Sequence, residues 1–307
     1  MKFLIALCFL IGAGSAQGAQ NCYVEKTLPS MGTFIHIKWV QSCDEKLSPT
    51  HWTEIQALLN NLEAELSLYQ KNSGIRRLNR DKLLKVSSHD FKELINISHR
   101  AYSKTRGYFN IGVLPALEIM KTRGSGFDGY GLRERERLLE AMAMPRKSPV
   151  EGNEIHLRNK KMKVTLDGVA KGYAVDKVAD RLQLWGKRNW FINFSGNIRA
   201  HGNAIRGQGW QVVVRNLDTS RTKNLTLMNQ SLSTSSGEHN YFSADRKWHH
   251  VIDPIKLQPA SRPTVSVVGP KASTCDLLST AFLSMPEVMA RKVLRDEYEG
   301  YFIVNME

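Results

Sequence analysis

The chain is poor in cysteine and in acidic side chains, and it lacks any long apolar run beyond its N-terminal residues. Only 4 cysteines occur in 307 residues, and none has the spacing of a zinc-finger ligand set. No Walker loop or GxGxxG fingerprint is present, so the usual nucleotide-binding folds are not indicated. Because no later segment is long and apolar enough to cross a bilayer, we expect a mature chain without a transmembrane helix.

Basic residues outnumber acidic ones. The chain has 43 Lys and Arg against 29 Asp and Glu, which gives a formal net charge of +14. Such an excess favours an anionic ligand or a peripheral contact with an anionic membrane surface, although a well-solvated Lys/Arg surface would give the same composition. With no zinc-finger spacing and with the export signal described next, we expect no nucleic-acid partner.

Residues 1–18 are typical of a secretory signal peptide. Lys2 supplies the positive start, residues 3–11 form the apolar segment, and Ala16 and Gly18 are small residues after which cleavage is expected. The apolar segment is too short to span a membrane. The sequence therefore predicts an exported, soluble protein of the periplasm.

The cysteines argue against lipid attachment and for one disulfide. Cys8 lies inside the apolar segment, and Cys22 lacks small residues just before it, so neither fits a lipoprotein signal. Cys22 and Cys43 flank two strand-like runs joined around residues 29–32. If these runs pair as a hairpin their ends meet, and an oxidising compartment permits a Cys22–Cys43 bond. Cys275 would then be the unpaired thiol.

Hydrophobic periodicity divides the mature chain, residues 19–307, into helices and strands that we expect to form one domain. Strand-rich stretches occur with long helices but without a regular βαβ period, which favours an α+β fold with mixed or antiparallel sheets and packed helices. The predicted helices include residues 50–69, 90–105, 275–283 and 287–297, the predicted loop is 107–117, and the predicted second hairpin pairs 154–158 with 161–166.

Residues 166–182, LDGVAKGYAVDKVADRL, predict a turn between a strand and the N-terminus of an amphipathic helix. Lys171 lies in the first helical turn, and Asp176 and Asp180 are among the charged residues expected to face water. A helix N-terminus offers free backbone N–H groups to an anion, and a glycine lets a ligand approach the main chain. An ordinary connection between a strand and a helix would explain the same pattern.

Asp276 and Thr280 are four residues apart on a predicted helix, so both side-chain oxygens project from one face. A carboxylate and a hydroxyl are hard oxygen ligands that suit Mg²⁺. The alternative is structural, with Asp276 capping the helix and Thr280 bonding back to a backbone carbonyl.

His250 lies in a segment, residues 249–254, that reads as a strand ending at a proline turn. Its imidazole can act as a general base near neutral pH. A packed or surface histidine is the alternative for an isolated residue of this kind.

Met31 and Tyr69 offer a thioether and a phenol ring, which can enclose a planar heterocycle between them. The alternative is that Met31 and Tyr69 are ordinary residues of the hydrophobic core.

Eight segments, taken together and in this order, resemble the ApbE family of FAD:protein FMN transferases. They are spread over essentially the whole mature chain, residues 19–307. The matching segments are SMGTF at 30–34, LSLYQKNSGIRRLN at 66–79, GYFNIGVLPAL at 107–117, LDGVAKGYAVD at 166–176, FSGNIRAHG at 194–202, STSSGEHNYF at 233–242, HHVIDP at 249–254 and CDLLSTA at 275–281.

The resemblance implies an activity and a role for each matching residue. Family members bind FAD and Mg²⁺, cleave the pyrophosphate, and attach FMN through a phosphoester to a Ser or Thr of an acceptor flavoprotein, a subunit of a membrane redox complex. By this resemblance Asp276, Thr280 and the backbone carbonyl of Gly168 hold the metal, and His250 deprotonates the acceptor hydroxyl. The implied FAD contacts are Met31, Tyr69, Tyr108, Phe109, Asn110, Thr165, Lys171 and Ile252.

Three positions depart from the family's pattern. Thr165 stands where the family commonly has an aspartate that contacts FAD, and Asn110 stands where it often has an aspartate. The usual D-P-x-T-G turn is replaced by DPIKLQP at residues 253–259, without the glycine, so we expect this loop to fold differently. Two alternatives to transfer stay open. One is an FAD pyrophosphatase that releases FMN and AMP, and the other is a non-catalytic periplasmic flavin-binding protein, which Thr165 and the altered loop favour.

Overall fold

The computed structural model describes residues 20–86, 88–215, 222–238 and 240–306, so the predicted signal peptide lies outside the described residues. The helices are α1 (His51–Leu66), α2 (Gly74–Asp81), α3 (His89–Lys104), α4 (Leu114–Arg123), α5 (Leu132–Met142), α6 (Ala170–Leu184), α7 (Ala272–Phe282) and α8 (Glu287–Glu297). The strands are β1 (Asn21–Ser30), β2 (Thr33–Ser42), β3 (Leu83–Lys85), β4 (Val150–Glu151), β5 (Glu154–His156), β6 (Trp190–Phe194), β7 (Asn197–His201), β8 (Trp210–Arg215), β9 (Thr222–Leu227), β10 (Gln230–Ser236), β11 (Ile252–Asp253), β12 (Gln258–Pro259), β13 (Thr264–Gly269) and β14 (Phe302–Met306).

A seven-stranded antiparallel sheet organises the molecule, with the strand order β1-β2-β6-β7-β10-β13-β14. Successive side chains of a strand point to opposite faces of a sheet. In β2, Ile35, Ile37 and Trp39 are accordingly buried in the main core, whereas the residues between them are not. Helices and antiparallel sheets pack together, and the predicted α+β class is confirmed.

Helices cover one face of this sheet and a hairpin covers part of the other. The main core combines buried residues of α1, α6 and α7 with those of β2, β6 and β13. On the opposite face, the β8–β9 hairpin packs Trp210, Val212 and Leu227 against Leu232 of β10 and Val268 of β13. The layered arrangement places the start of α6 and the middle of α7 at one end of the sheet, where the site described below lies.

Two local predictions, for residues 161–166 and for residues 107–117, were wrong. Residues 161–166 do not pair with β5, which lies between β3 and β4. The side chain of Asn79 instead accepts the N–H of Val164 at 2.7 Å and donates to its carbonyl at 2.8 Å. Residues 107–117 are not all loop, since α4 begins at Leu114. Pro115 lies in the first turn of this helix, where a backbone N–H has no partner within the helix, so proline costs no hydrogen bond there.

The N-terminal hairpin is fixed at its open end by a disulfide. Cys22 and Cys43 are bonded with their Cα atoms 5.1 Å apart, as predicted from the pairing of β1 with β2. Cys275 is a free thiol buried in α7. Among the described residues, no helix is both long enough and apolar enough to cross a bilayer.

We predict that changing both Cys22 and Cys43 to serine lowers the free energy of unfolding by about 2–4 kcal/mol, because the bond closes a loop in the unfolded chain. Urea denaturation followed by circular dichroism measures this. Reduced wild-type protein is the matched control and should unfold like the double variant. Equal midpoints for oxidised wild type and the variant would show that the bond contributes nothing.

Candidate active site

Two tight hairpin turns lie side by side at one end of the large sheet. Met31 and Gly32 connect β1 to β2 with φ angles of 48° and 75°, and Ser195 and Gly196 connect β6 to β7 with φ angles of 49° and 90°. Positive φ at both positions is the geometry of a two-residue turn that follows the twist of a hairpin. The hydroxyls of Thr33 and Ser195 are 2.8 Å apart and join the two turns.

Met31 and Tyr69 both lie near the C-terminal half of α1. The backbone N–H of Met31 donates to a carboxylate oxygen of Glu63 at 3.0 Å, so α1 holds the turn in place. Tyr69 follows the end of α1 and is 84 % exposed, which excludes a core role for its ring. Sequence patterns did not single out Glu63, because a charged residue on an amphipathic helix is ordinarily solvated.

Asp276 joins α7 to α6. It is only 5 % exposed, and its carboxylate accepts the backbone N–H of Gly172 at 2.9 Å. A β-carbon on Gly172 would lie 2.4 Å from the carbonyl oxygen of Ala272, so only glycine allows the two helices to approach this closely. Asp276 is therefore not the cap of α7, and that structural alternative was wrong.

The cap of α7 comes from Asp176 on α6. Its carboxylate accepts the N–H groups of Ala272 and Ser273 at 3.0 and 2.9 Å and the hydroxyl of Ser273 at 2.6 Å. Arg199 of β7 forms an ion pair with it at 2.9 Å. The prediction that Asp176 faces water is wrong, since it is 6 % exposed. Helix spacing alone does not show that α7 begins against this face of α6.

Thr280 lies one helical turn after Asp276, beside the turn that precedes α6. Its hydroxyl is 3.2 Å from that of Ser235 on β10, which is also 2.7 Å from the hydroxyl of Ser279. A β-carbon on Gly168 would lie 3.2 Å from the Thr280 methyl and 3.4 Å from its hydroxyl. The structure thus brings together all three residues predicted to hold the metal.

These groups fit a small hard cation. A carboxylate, a hydroxyl and a backbone carbonyl are the oxygen donors that Mg²⁺ prefers, and it keeps water or phosphate oxygens in its other positions. Burial raises the pKa of Asp276, whereas the charge of Lys171 and the Gly172 N–H lower it. A buried carboxylate with a single backbone partner among the described residues is suited to a cation.

Tyr108, Phe109 and Asn110 follow α3 in the segment that leads to α4, and Phe109 is the one of the three that contacts Gly168. The ring of Phe109 is buried and lies 3.4 Å from the position of a β-carbon on Gly168. Tyr108 is half-buried, and burial together with the charge of Asp253 raises its pKa. The side chain of Asn110 accepts the N–H of Gly112 and donates to a backbone carbonyl, so its amide shapes the loop.

Lys171 is the cation at the centre of the site. Its positive charge lowers the pKa values of Asp167, Asp276 and His250. No carboxylate oxygen of residues 20–86, 88–215, 222–238 or 240–306 lies within 4.0 Å of its ammonium. It is therefore available to an anionic ligand.

Thr165 and Asp167 form a small unit beside Lys171. Thr165 is buried, and its hydroxyl accepts the N–H of Asp167 at 3.2 Å. The side chain of Asp167 reaches solvent, but the protein around it raises the pKa of its carboxyl. The charge of Asp167 is in turn the main cause of the raised pKa of Tyr69.

His250 is half-buried and lies close to Lys171. Burial, the neighbouring His249 and the charge of Lys171 lower the pKa of His250 to about 4. Its Nδ1 has no hydrogen-bond partner among the described residues. The predicted strand at 249–254 is reduced to β11, although Tyr241 forms a bridge with His249.

The loop after His250 keeps a conformation typical of glycine without having one. Leu257 has a φ angle of 55° and is almost fully buried in an apolar cluster with Ile252, Met120 and Phe127. Leucine thus adopts here the left-handed conformation that glycine takes more easily, and a different fold of this loop stays a prediction. Ile252 points into the same cluster, and its contact with FAD stays a prediction.

The comparisons with known proteins agree with this geometry. The family model described as ApbE family matches residues 31–302. The FAD:protein FMN transferase of Haemophilus influenzae is 28 % identical over 90 % of this chain and 84 % of its own length. The same-named protein of Vibrio cholerae is 27 % identical over 93 % of this chain and 88 % of its length. The solved structure of the flavin transferase ApbE from Vibrio cholerae has the same fold, with a TM-score of 0.78 at 24 % identity over 92 % of this chain and 93 % of that one.

Fold and site thus define an α+β protein of the flavin-transferase fold, with an oxygen-donor cluster at one end of its antiparallel sheet. The chain belongs to the ApbE family.

We predict that Gly172→Ala destabilises the protein by about 1–3 kcal/mol, because the added methyl group forces α6 away from α7. The change should also weaken the binding of Mn²⁺, which takes the same oxygen ligands as Mg²⁺ and serves as its probe. Urea denaturation and isothermal titration calorimetry measure the two effects. Gly131→Ala is the control, since a β-carbon there meets nothing closer than 3.7 Å. Wild-type stability and Mn²⁺ affinity in Gly172→Ala would show that the close helix contact is not required.

Proposed function

We propose that the protein is a Mg²⁺-dependent FAD:protein FMN transferase. It cleaves the pyrophosphate of FAD and attaches FMN through a phosphoester to a Ser or Thr of a partner redox protein. The observation that carries this proposal is the meeting of Asp276, Thr280 and Gly168 beside Lys171 and His250. The names of the curated relatives support the same activity.

Asp276, Thr280 and the carbonyl of Gly168 would hold the metal. A Mg²⁺ ion held by these residues would supply the charge neutralisation on which phosphoryl transfer depends. Lys171 adds a second positive charge to the same region. The exposed ring of Tyr69 and the thioether of Met31 provide apolar surfaces for a planar ring system.

His250 accepts the proton of the acceptor hydroxyl. As the hydroxyl oxygen bonds to the phosphorus of the FMN half, the bond from that phosphorus to the oxygen of AMP breaks, and AMP leaves with the electron pair. A histidine whose pKa is about 4 is neutral at physiological pH and so can accept this proton. The flavin undergoes no oxidation or reduction in this reaction.

The proposed setting is the periplasm, and the proposed acceptor is a flavoprotein subunit of a membrane redox complex. The Cys22–Cys43 disulfide supports an oxidising compartment. The net charge of +14 favours contact with an anionic membrane surface near such a complex.

The family resemblance implies an acceptor motif, Asp-Gly-x-Ser/Thr-Gly-Ala-Ser/Thr. We predict that protein incubated with FAD, Mg²⁺ and a peptide carrying this motif adds FMN to the peptide. Asp276→Ala should slow labelling at least about 100-fold, because it removes the only carboxylate of the donor set. Mass spectrometry of the peptide and chromatography of AMP provide the measurements. The control Asp44→Ala changes an exposed aspartate beside the disulfide and should label normally.

Other results would replace this proposal. Release of FMN and AMP without a labelled peptide would identify an FAD pyrophosphatase. FAD binding without any turnover would identify a flavin-binding protein.

We predict a pH profile set by a depressed histidine pKa. The kcat/KM for labelling should vary little between about pH 5.5 and 7.5, since His250 stays neutral above its pKa of about 4. A histidine at its ordinary value near 6.5 would instead lose roughly fivefold between pH 6.5 and 5.5. Rates measured across this range, with FAD affinity as a control at each pH, decide between the two. A fall of that size would contradict the assignment.

A further inference from the structure

Asp167 was not among the residues predicted to bind a ligand, yet it carries an exposed carboxylate and is the neighbour of Gly168 in the chain. Its N–H bonds to the hydroxyl of Thr165 at 3.2 Å, and that hydroxyl also donates to the Asp167 carboxylate. Since Thr165 is buried, it fixes the direction of a carboxylate that solvent reaches. An oriented, accessible acceptor of this kind is suited to a ligand that carries hydrogen-bond donors.

The position of Asp167 in the site limits which part of FAD it can meet. On one side its neighbour in the chain is Gly168, which lies against Thr280 in the donor cluster. On the other side its charge acts on the exposed phenol of Tyr69. The two carboxylates differ in their surroundings, because Asp276 is 5 % exposed and accepts the N–H of Gly172, whereas Asp167 is exposed to solvent.

The chemical groups of FAD that lie between a pyrophosphate and a planar ring are sugar hydroxyls. They belong to the ribityl chain on the flavin side and to the ribose on the adenine side. A carboxylate repels the pyrophosphate but accepts hydrogen bonds from adjacent hydroxyls, as acidic residues do for the ribose in dinucleotide-binding folds.

We propose that Asp167 binds the sugar hydroxyls of FAD between the pyrophosphate and the ring that contacts Tyr69. This inference rests on the proposed function and adds one specific contact to it. Thr165 acts through Asp167 as a positioning residue. The carboxylate that the family's pattern would place at 165 is therefore supplied from two residues further along the chain.

Titration calorimetry of Asp167→Asn tests this contact. With Mg²⁺ present, FAD should bind about tenfold more weakly than to wild type, because a charged acceptor is replaced by a neutral amide. FMN and ADP, titrated separately, distinguish the two sugars, since only the fragment whose hydroxyls meet Asp167 should lose affinity. Mn²⁺ titrated without nucleotide should bind as to wild type. Asp44→Asn is the charge-matched control, and an unchanged urea midpoint excludes a folding defect.

Equal FAD affinity in Asp167→Asn and wild type would overturn the inference. A loss of Mn²⁺ affinity matching the loss of FAD affinity would overturn it as well, because Asp167 would then belong to the metal site. Failure of wild type to bind FAD at all would overturn both this inference and the proposed function. FAD binding to wild type without peptide labelling would overturn the proposed function alone.

Discussion

The hold of Asp176 on the start of α7 is the interaction on which the rest of the site depends. Asp176 belongs to α6, its hydrogen-bond partners Ala272 and Ser273 begin α7, and Arg199 belongs to β7. A buried carboxylate is costly unless it is paired, and here its partners lie on two other elements, α7 and β7. Asp176 thereby fixes the start of α7 against α6, and the hydrogen bond from Gly172 to Asp276 holds the next turn of α7 in the same way.

Backbone atoms take a direct part in the site because glycine occupies the contacts between these elements. Gly172 lets its N–H reach Asp276, and Gly168 brings its backbone against Thr280. Around them Lys171 places one positive charge among Asp167, Asp276 and His250. The same cation therefore favours the ionised carboxylates and the neutral imidazole, which is the protonation pattern that a metal-assisted group transfer requires.

Local sequence patterns predicted those parts of the structure that depend on near neighbours. The β1–β2 hairpin and its disulfide follow from alternation and turn residues, and α8 has the predicted bounds because its periodicity is complete. Asp276 and Thr280 also lie one turn apart on a helix, as their spacing predicts. The burial of Asp176 and the contact of Glu63 with Met31 were not predictable in this way, since each depends on an element distant in the chain.

Leu257 has a consequence for how a ligand reaches the site. Its left-handed backbone costs about 1–3 kcal/mol, and burial of its side chain returns about 1.5–3 kcal/mol. Lifting this loop would expose the leucine to water, so the segment behind His250 behaves as a fixed wall rather than as a hinged cover.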